Sequence, residues 1–469
     1  MESNVRKNFI YNSLYQMLAI ILPLITTPYI SRVLGPDKIG QYSYTYSIAY
    51  YFVMFILLGL NNYGNRTIAM LKNDKKKLSK AFYGIYFMQL INGFFMIFIY
   101  CVYTLLFSNN LMTWILLIYV VSGVLDINWF FFGMEQFKLT VVRNTIIKLI
   151  TTLSIFIMVK NESDIYLYSL IMVGGMLLSQ ILLWPFVRKF VDFCRIEMKD
   201  IIRHIKPNLT LFIPVIAISL YKVMDKIMLG LMASMIEVGY YESSEKIIAI
   251  PMALITSLGT VMLPKMSNLI ANNNEKESKK YFSNSIMLAM FLSTSLCFGV
   301  MGVSNEFVPI FYGYGYSKCI ILFQILLPSC MFLAFANVVR TQYIIPRQLD
   351  SIYIKSVILG AIINLFINLL LIPVYQSIGA AIGTLCAEAT VCIYQIIVVR
   401  NKLLIKQYLM DSSKFLLAGL IMYLILMNIP TFFSSIFVQL LFKVVLGAIV
   451  YLFIIGLFFR KIIINSIFE

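Results

Sequence analysis

Apolar residues run along this chain in long, nearly unbroken stretches separated by short polar breaks. A helix needs roughly 20 apolar residues to cross the hydrocarbon core of a bilayer. Stretches of about that length recur at 9–34, 42–62, 82–107, 112–133, 144–160, 165–187, 208–232, 240–263, 282–303, 319–344, 354–373, 378–399, 413–429 and 436–459. The pattern predicts about 14 transmembrane helices. The runs are continuous and do not alternate in ten-residue segments, which excludes a membrane β-barrel. The first run, after Arg6 and Lys7, is longer than the core of a signal peptide and has no small-residue cleavage site, so it reads as a retained helix.

Charge sharpens the picture. If the N-terminus is cytoplasmic, every second loop falls inside, and the inside set holds 28 Lys and Arg residues. The other side holds 4, namely Arg32, Lys38, Lys160 and Lys318. Cytoplasmic loops carry the positive excess in membrane proteins. The count therefore predicts an even number of spans with both termini in the cytoplasm. Outer loops are all short, the longest near 304–318, and none has room for a catalytic domain.

Composition agrees: 60% of residues are hydrophobic, 13% are charged and the mean hydropathy is +0.86. A soluble domain sits nearer half apolar and a quarter charged. The net charge of +17 comes largely from the inner loops, so it expresses orientation and not nucleic-acid binding. Seven cysteines are scattered without C-x-x-C spacing, and His204 is the single histidine, so neither zinc nor a redox pair is indicated. P-loop, dinucleotide and zinc-protease patterns are absent from the sequence.

The mixed charges of 188–206 (Asp192, Arg195, Glu197, Lys199, Asp200, Arg203) fit either an amphipathic linker between two halves or an ordinary solvated loop. The expected organisation is a six-helix lobe with this linker at 1–200, a second six-helix lobe at 201–400, and two additional helices at 401–469. A short parallel repeat supports the halves: Val33-Leu34-Gly35 then Gly40-Gln41-Tyr42, against Met228-Leu229-Gly230 then Gly239-Tyr240-Tyr241.

Charges inside spans cost several kcal/mol and mark cavities or partners. Lys222, Asp225 and Lys226 fall in the seventh span; Glu242, Glu245 and Lys246 open the eighth. Lys222 and Lys226, and Glu242 and Lys246, are spaced to share a helix face. Such a patch either lines a cavity for an anionic ligand or is an ion-pair network stitching the two helices. Asp126 and Glu388 are lone acids suited to ion coupling. Gln16, Asn128, Arg340, Gln342, Asn364 and Asn368 suit hydrogen bonds between helices. Lys148 and Lys443 suit snorkelling to an interface. Pro23 and Pro28 in the first span, and Pro207 and Pro214 in the seventh, predict kinks or hinges. Tyrosines crowd the second span (Tyr42, Tyr44, Tyr46, Tyr50, Tyr51), as an interfacial belt or as stacking surfaces for sugar rings.

Several segments resemble the Wzx-type polysaccharide flippases: Pro28-Tyr29-Ile30-Ser31-Arg32-Val33-Leu34-Gly35-Pro36, Asn61-Asn62-Tyr63-Gly64-Asn65-Arg66, Trp129-Phe130-Phe131-Phe132-Gly133-Met134-Glu135, and Asp225-Lys226-Ile227-Met228-Leu229-Gly230 followed by Val238-Gly239-Tyr240-Tyr241. The resemblance spans about residues 5–400. It implies the all-α fold of the MOP superfamily, shared with MATE exporters and MurJ, with two six-helix lobes in a V shape plus two C-terminal helices. It implies a multi-pass protein of the bacterial inner membrane, monomeric, without cofactor, driven by H+ or Na+. The implied cargo is an undecaprenyl-diphosphate-linked oligosaccharide for exopolysaccharide, capsule or O-antigen, handed on to a polymerase and chain-length machinery. On that basis Arg32, Arg66, Lys222, Lys226 and Lys246 are the expected cargo-binding cations. Asp126, Asp225, Glu242, Glu245 and Glu388 are the expected charge partners or ion-coupling acids. The rival expectations are a MATE-like ion-coupled antiporter, which would prefer acids in its cavity, and a membrane polymerase or ligase, which would need a large outer loop.

Overall fold

A computed structural model describes the backbone of residues 2–458, and side chains from Ile21 onward apart from Tyr221. The side chains of Arg6, Lys7 and Gln16, and the whole of Arg460 and Lys461, lie outside the described residues. The chain is all-α, with no strand among the described residues. Thirteen helical segments there are long and apolar enough to cross a membrane. The first, Ile21–Leu71, contains the expected span 42–62 and the 21–34 part of the expected span 9–34. They join through a bend at Gly35, whose φ of 70° and ψ of 170° interrupt the helix Glu2–Leu57. Side chains other than hydrogen strongly disfavour that backbone region, and Pro36 follows without an N–H to continue the ladder.

The chain folds as two compact units, Met1–Ser219 and Leu220–Glu469. The first contains α1 (Glu2–Leu57), α2 (Leu60–Leu71), α3 (Lys75–Phe107), α4 (Leu111–Val124), α5 (Asn128–Gly133), α6 (Phe137–Met158), α7 (Ile165–Ile181), α8 (Trp184–Val187) and most of α9 (Met198–Lys222). The second contains α10 (Met224–Met232), α11 (Met235–Ala271), α12 (Glu275–Gly302), α13 (Ser304–Phe311), α14 (Lys318–Leu326), α15 (Ser329–Val339), α16 (Asp350–Tyr375), α17 (Ser377–Val399), α18 (Ile405–Asn428) and α19 (Ile436–Phe458). A buried π-helical turn, Arg340–Ile344, continues α15. The prolines do not end their helices: α1 runs through Pro23 and Pro28, and α9 through Pro207 and Pro214. The interruptions come instead at Gly35 and at Val223, between α9 and α10.

In the first unit the aromatic run Trp129-Phe130-Phe131 is fully buried against Phe82, Leu60 and Ile68. Trp129 reaches this core because the chain leaves the helix between α4 and α5. Gln89 of α3, itself buried, repairs that break. Its amide donates to the carbonyls of Gly123 (2.9 Å), Val124 (3.2 Å) and Asp126 (2.9 Å), and its oxygen accepts the Trp129 indole N–H at 3.0 Å. Trp184 Nε1 donates to the Leu125 carbonyl at 3.1 Å. The 188–206 segment is tied down to α3: Lys75 pairs with Asp192 at 2.7 Å and Lys80 with Asp200 at 3.0 Å. Outward, α3 exposes Phe94, Phe95 and Phe98, a surface suited to lipid and not to water.

In the second unit α16 and α17 form a tight antiparallel pair, and α19 packs on α18 and α13. Lys443 of α19 does not snorkel. It is buried, with Nζ 2.7 Å from Glu306 Oε1 of α13. A carboxylate within reach makes internal pairing better than a path to the surface. Removing one member of a buried pair strands the other charge and costs roughly 3–5 kcal/mol. Lys443→Ala is therefore expected to lower the stability of the purified protein by about that amount, whereas Lys443→Leu with Glu306→Leu recovers most of it. A second unfolding measurement isolates the Gly35 bend. A Cβ there would meet nothing closer than Glu162 Oε1 at 3.9 Å, so Gly35→Ala should cost about 1–3 kcal/mol through backbone strain alone.

Candidate functional site

Each unit carries a polar site among otherwise apolar helices. In the first, a cavity of about 450 Å³ opens between α1, α4, α6 and α7. Its floor follows from the α4–α5 break. Asp126, released from the helix there, accepts from the backbone N–H of Asn128 at 2.9 Å and from its amide at 2.7 Å. The Asn128 oxygen accepts from Arg143 at 2.9 Å. Arg143, 7% exposed, also donates to the Ser179 carbonyl (2.9 Å) and to Asn144 Oδ1 (2.7 Å). Gln180 Oε1 accepts from the Asn128 amide at 3.1 Å. Lys148 and the tyrosines Tyr46, Tyr50 and Tyr119 complete the wall. Tyr46 and Tyr119 stack at 4.9 Å between ring centroids. The residues of charged type lining the cavity are Arg143, Lys148 and Asp126, a formal net charge of +1. Amides and hydroxyls that both donate and accept surround them, a lining matched to a hydroxyl-rich, anionic headgroup.

In the second unit the charged residues of α10 and α11 form two separate sets. Lys226 Nζ lies 3.0 Å from Glu242 Oε2 and 3.0 Å from Glu245 Oε2, and Lys246 lies 3.2 Å from Glu242 Oε1. Asp225, 1% exposed, turns away from these cations. Its carboxylate accepts from Tyr241 OH, Thr384 Oγ1 and Asn368 Nδ2, each at 2.6 Å. α17 can come this close only because residue 383 is glycine: a Cβ there would overlap Asn368 Oδ1.

Several sequence expectations change. Asp225 is not the partner of Lys222 or Lys226. Successive helical residues point about 100° apart, which separates Asp225 from Lys226, and the helix breaks at Val223, which removes the shared face expected of Lys222 and Lys226. Lys222 is exposed at the end of α9; its charge and that of Arg340 act on the buried Glu388 of α17. Glu245 and Glu242 pair with Lys226 across α10 and α11, the ion-pair network that was one of the two readings of this patch. Asp126 is no lone acid inside a helix but holds a helix break together. Arg32 and Arg66 are exposed on α1 and α2 and do not line the cavity of the first unit. Lys318, counted in an outer loop, is folded onto Glu237 at 2.6 Å.

Sequence reasoning missed Arg143 as a site residue. It stands one position before the assumed start of its span and was counted as a loop cation, yet α6 starts at Phe137. The adjacent Asn144, with Lys148 one turn on, was the available signal. Glu237 and Glu306 were missed because each sits at a helix start, where acids are common.

The fold is shared with known transporters. The structure superimposes on the lipid II flippase MurJ in an inward closed conformation with a TM-score of 0.79, covering 97% of this chain and 100% of that one at 16% identity. An inward-facing MATE multidrug transporter of the MOP superfamily matches with a TM-score of 0.56 over 82% of this chain and 98% of its own, at 12% identity. In sequence, a protein of Escherichia coli (strain K12) named for O-antigen transport is 24% identical over 411 residues, 86% of this chain and 98% of the relative. A Haloferax volcanii protein named for a flippase role in low-salt glycan biosynthesis is 24% identical over 164 residues, 35% of this chain and 34% of its own. This is a multi-pass membrane transporter with the MOP superfamily fold. The polysaccharide biosynthesis protein family matches residues 5–270, more than half of the sequence, and the chain belongs to that family. The relatives and solved structures that it resembles are named as transporters and flippases.

The ion-pair set gives a direct test. Lys226→Ala leaves two carboxylates facing each other among apolar helices and should lower folded yield and thermal stability sharply. Lys226→Ala combined with Glu242→Gln and Glu245→Gln should restore both. Lys222→Ala, at an exposed position, should leave the unfolding temperature unchanged.

Proposed function

We propose that this protein carries an undecaprenyl-diphosphate-linked oligosaccharide repeat unit from the cytoplasmic to the outer leaflet of the bacterial inner membrane, by alternating access, for exopolysaccharide, capsule or O-antigen synthesis. The observation that carries this reading is the cationic, amide- and tyrosine-lined cavity of about 450 Å³ in the first unit. A diphosphate-sugar headgroup cannot enter hydrocarbon unaided, because the buried charge and unpaired hydroxyls are too costly. Arg143 and Lys148 offset the anion, while Asn128, Asn144 and Gln180 replace the water around the sugar hydroxyls. The excess of cations over acids in this cavity speaks against a cation exporter. The O-antigen and glycan roles in the relatives' names point the same way.

In this reading both termini are cytoplasmic, and the two lobes and two extra helices of the sequence pattern form the moving parts. Arg32, Arg66 and Lys222, all exposed, meet the headgroup as it enters or leaves. Lys226 and Lys246, held by acids, shape the second unit. Asp225 takes the driving ion. Its carboxylate, the hydroxyls of Tyr241 and Thr384 and the unpartnered buried Asn368 Oδ1 form an oxygen-rich set, suited to H+ or to a hard cation such as Na+.

Glycan display in a strain lacking its own flippase but making a matched repeat unit tests the proposal. Expression of this chain should restore display and clear the internal pool of lipid-linked repeat units. Lys148→Gln should cut display at least tenfold at unchanged folded yield. Asp225→Asn should abolish the response of transport in proteoliposomes to an imposed H+ or Na+ gradient. Wild-type display by Lys148→Gln would remove the cavity from the mechanism.

A further inference from the structure

The turn joining α17 to α18 holds a second hollow, of about 470 Å³, unconnected with the features assigned above. Arg400, Lys406 and Lys414 line it together with Gln407, Leu404 and Met410. One acid, Asp411, also lines it and pairs with Lys414 at 2.8 Å. Three cations against one acid leave the hollow at +2. Arg400, Lys406 and Gln407 are exposed.

The hollow is not simply a polar loop. Leu404 and Met410 are 60% and 61% exposed at its rim. From Met410 the exposed apolar positions Leu417, Ile421 and Leu424 follow at spacings of seven, four and three residues, a single stripe along α18 with Lys414 between Met410 and Leu417. From Met410 to Ile421 the helix rises about 16 Å, close to half of a hydrocarbon core roughly 30 Å thick. A cationic cup thus opens onto an apolar track the depth of one leaflet. Both ends of one molecule are matched: a phosphodiester in the cup and an acyl chain along the stripe.

We propose that this hollow binds an anionic glycerophospholipid, its phosphate held by Arg400 and Lys406 and one acyl chain laid along Met410, Leu417 and Ile421. Basic pockets at the membrane surface attract anionic headgroups, each cation adding roughly a factor of five in affinity. The positive-inside count places this turn among the cytoplasmic loops, so the lipid comes from the inner leaflet. The site does not depend on the identity of the transported cargo.

Native mass spectrometry of the purified full chain in neutral detergent tests it, with phosphatidylglycerol and phosphatidylcholine titrated separately and inorganic phosphate as competitor. Phosphatidylglycerol should bind at least tenfold more tightly than phosphatidylcholine. Arg400→Gln with Lys406→Gln should erase that preference, and Met410→Ser with Leu417→Ser should weaken phosphatidylglycerol binding while keeping the order of preference. Equal binding of the two lipids, or an unchanged preference in the double Gln variant, overturns the proposal. Competition by millimolar inorganic phosphate as effective as by the lipid would make this a free-anion site and also overturn it. If the double variant fails to fold, Lys406→Gln alone, at an exposed position, should lower the preference severalfold; no change would count against the site.

Discussion

A helix that stops inside a bilayer releases backbone groups that water cannot reach, and side chains must take over their hydrogen bonds. The break after α4 shows how much follows from this. Gln89 satisfies the three carbonyls freed there and holds the Trp129 indole, and Trp184 takes a fourth. Once the break is sealed, Trp129 and its phenylalanine neighbours turn into the core, while Asp126 and Asn128 turn the other way, into the cavity. The same residues that repair the backbone thereby supply the polar wall. In the second unit the break at Val223 has a similar outcome: it sets Asp225 among hydroxyls and amides of α11, α16 and α17, apart from the lysines next to it in sequence.

Most of the fold was legible because hydrophobic run length and loop charge are long-range averages, insensitive to detail. The spans at 240–263, 354–373 and 378–399 each fall within a single observed helix, α11, α16 and α17. What averages cannot register is a one-residue event. Gly35 merges two expected spans into one bent helical segment, and Val223 splits an expected one. The prolines were misleading because proline removes a single hydrogen bond that a membrane helix tolerates, whereas a glycine in a left-handed conformation interrupts it altogether.

The site was legible only in part, and for the same reason. Helical spacing correctly joined Glu242 to Lys246, since both lie within the unbroken α11. It failed for Lys222, Asp225 and Lys226 because a break lies among them. Asn368 was recognisable as a hydrogen-bonding residue between helices, but its partner, 143 positions away, belongs to tertiary structure. Arg143 illustrates a different difficulty: a cation at the edge of an apolar run reads as topology whether it faces solvent or a cavity.

Lys226, Lys246, Glu242 and Glu245 carry two positive and two negative charges within a few ångströms. Such an array has no monopole, so its field decays over a distance comparable to its own size. It cannot draw an approaching anion from afar. It is felt only by a group that touches it, and dissolved salt, which screens long-range fields, has little purchase on it. The quartet therefore acts as a short-range electrostatic template, one whose influence on anything passing by depends on shape and contact and hardly at all on the ionic strength of the surrounding medium.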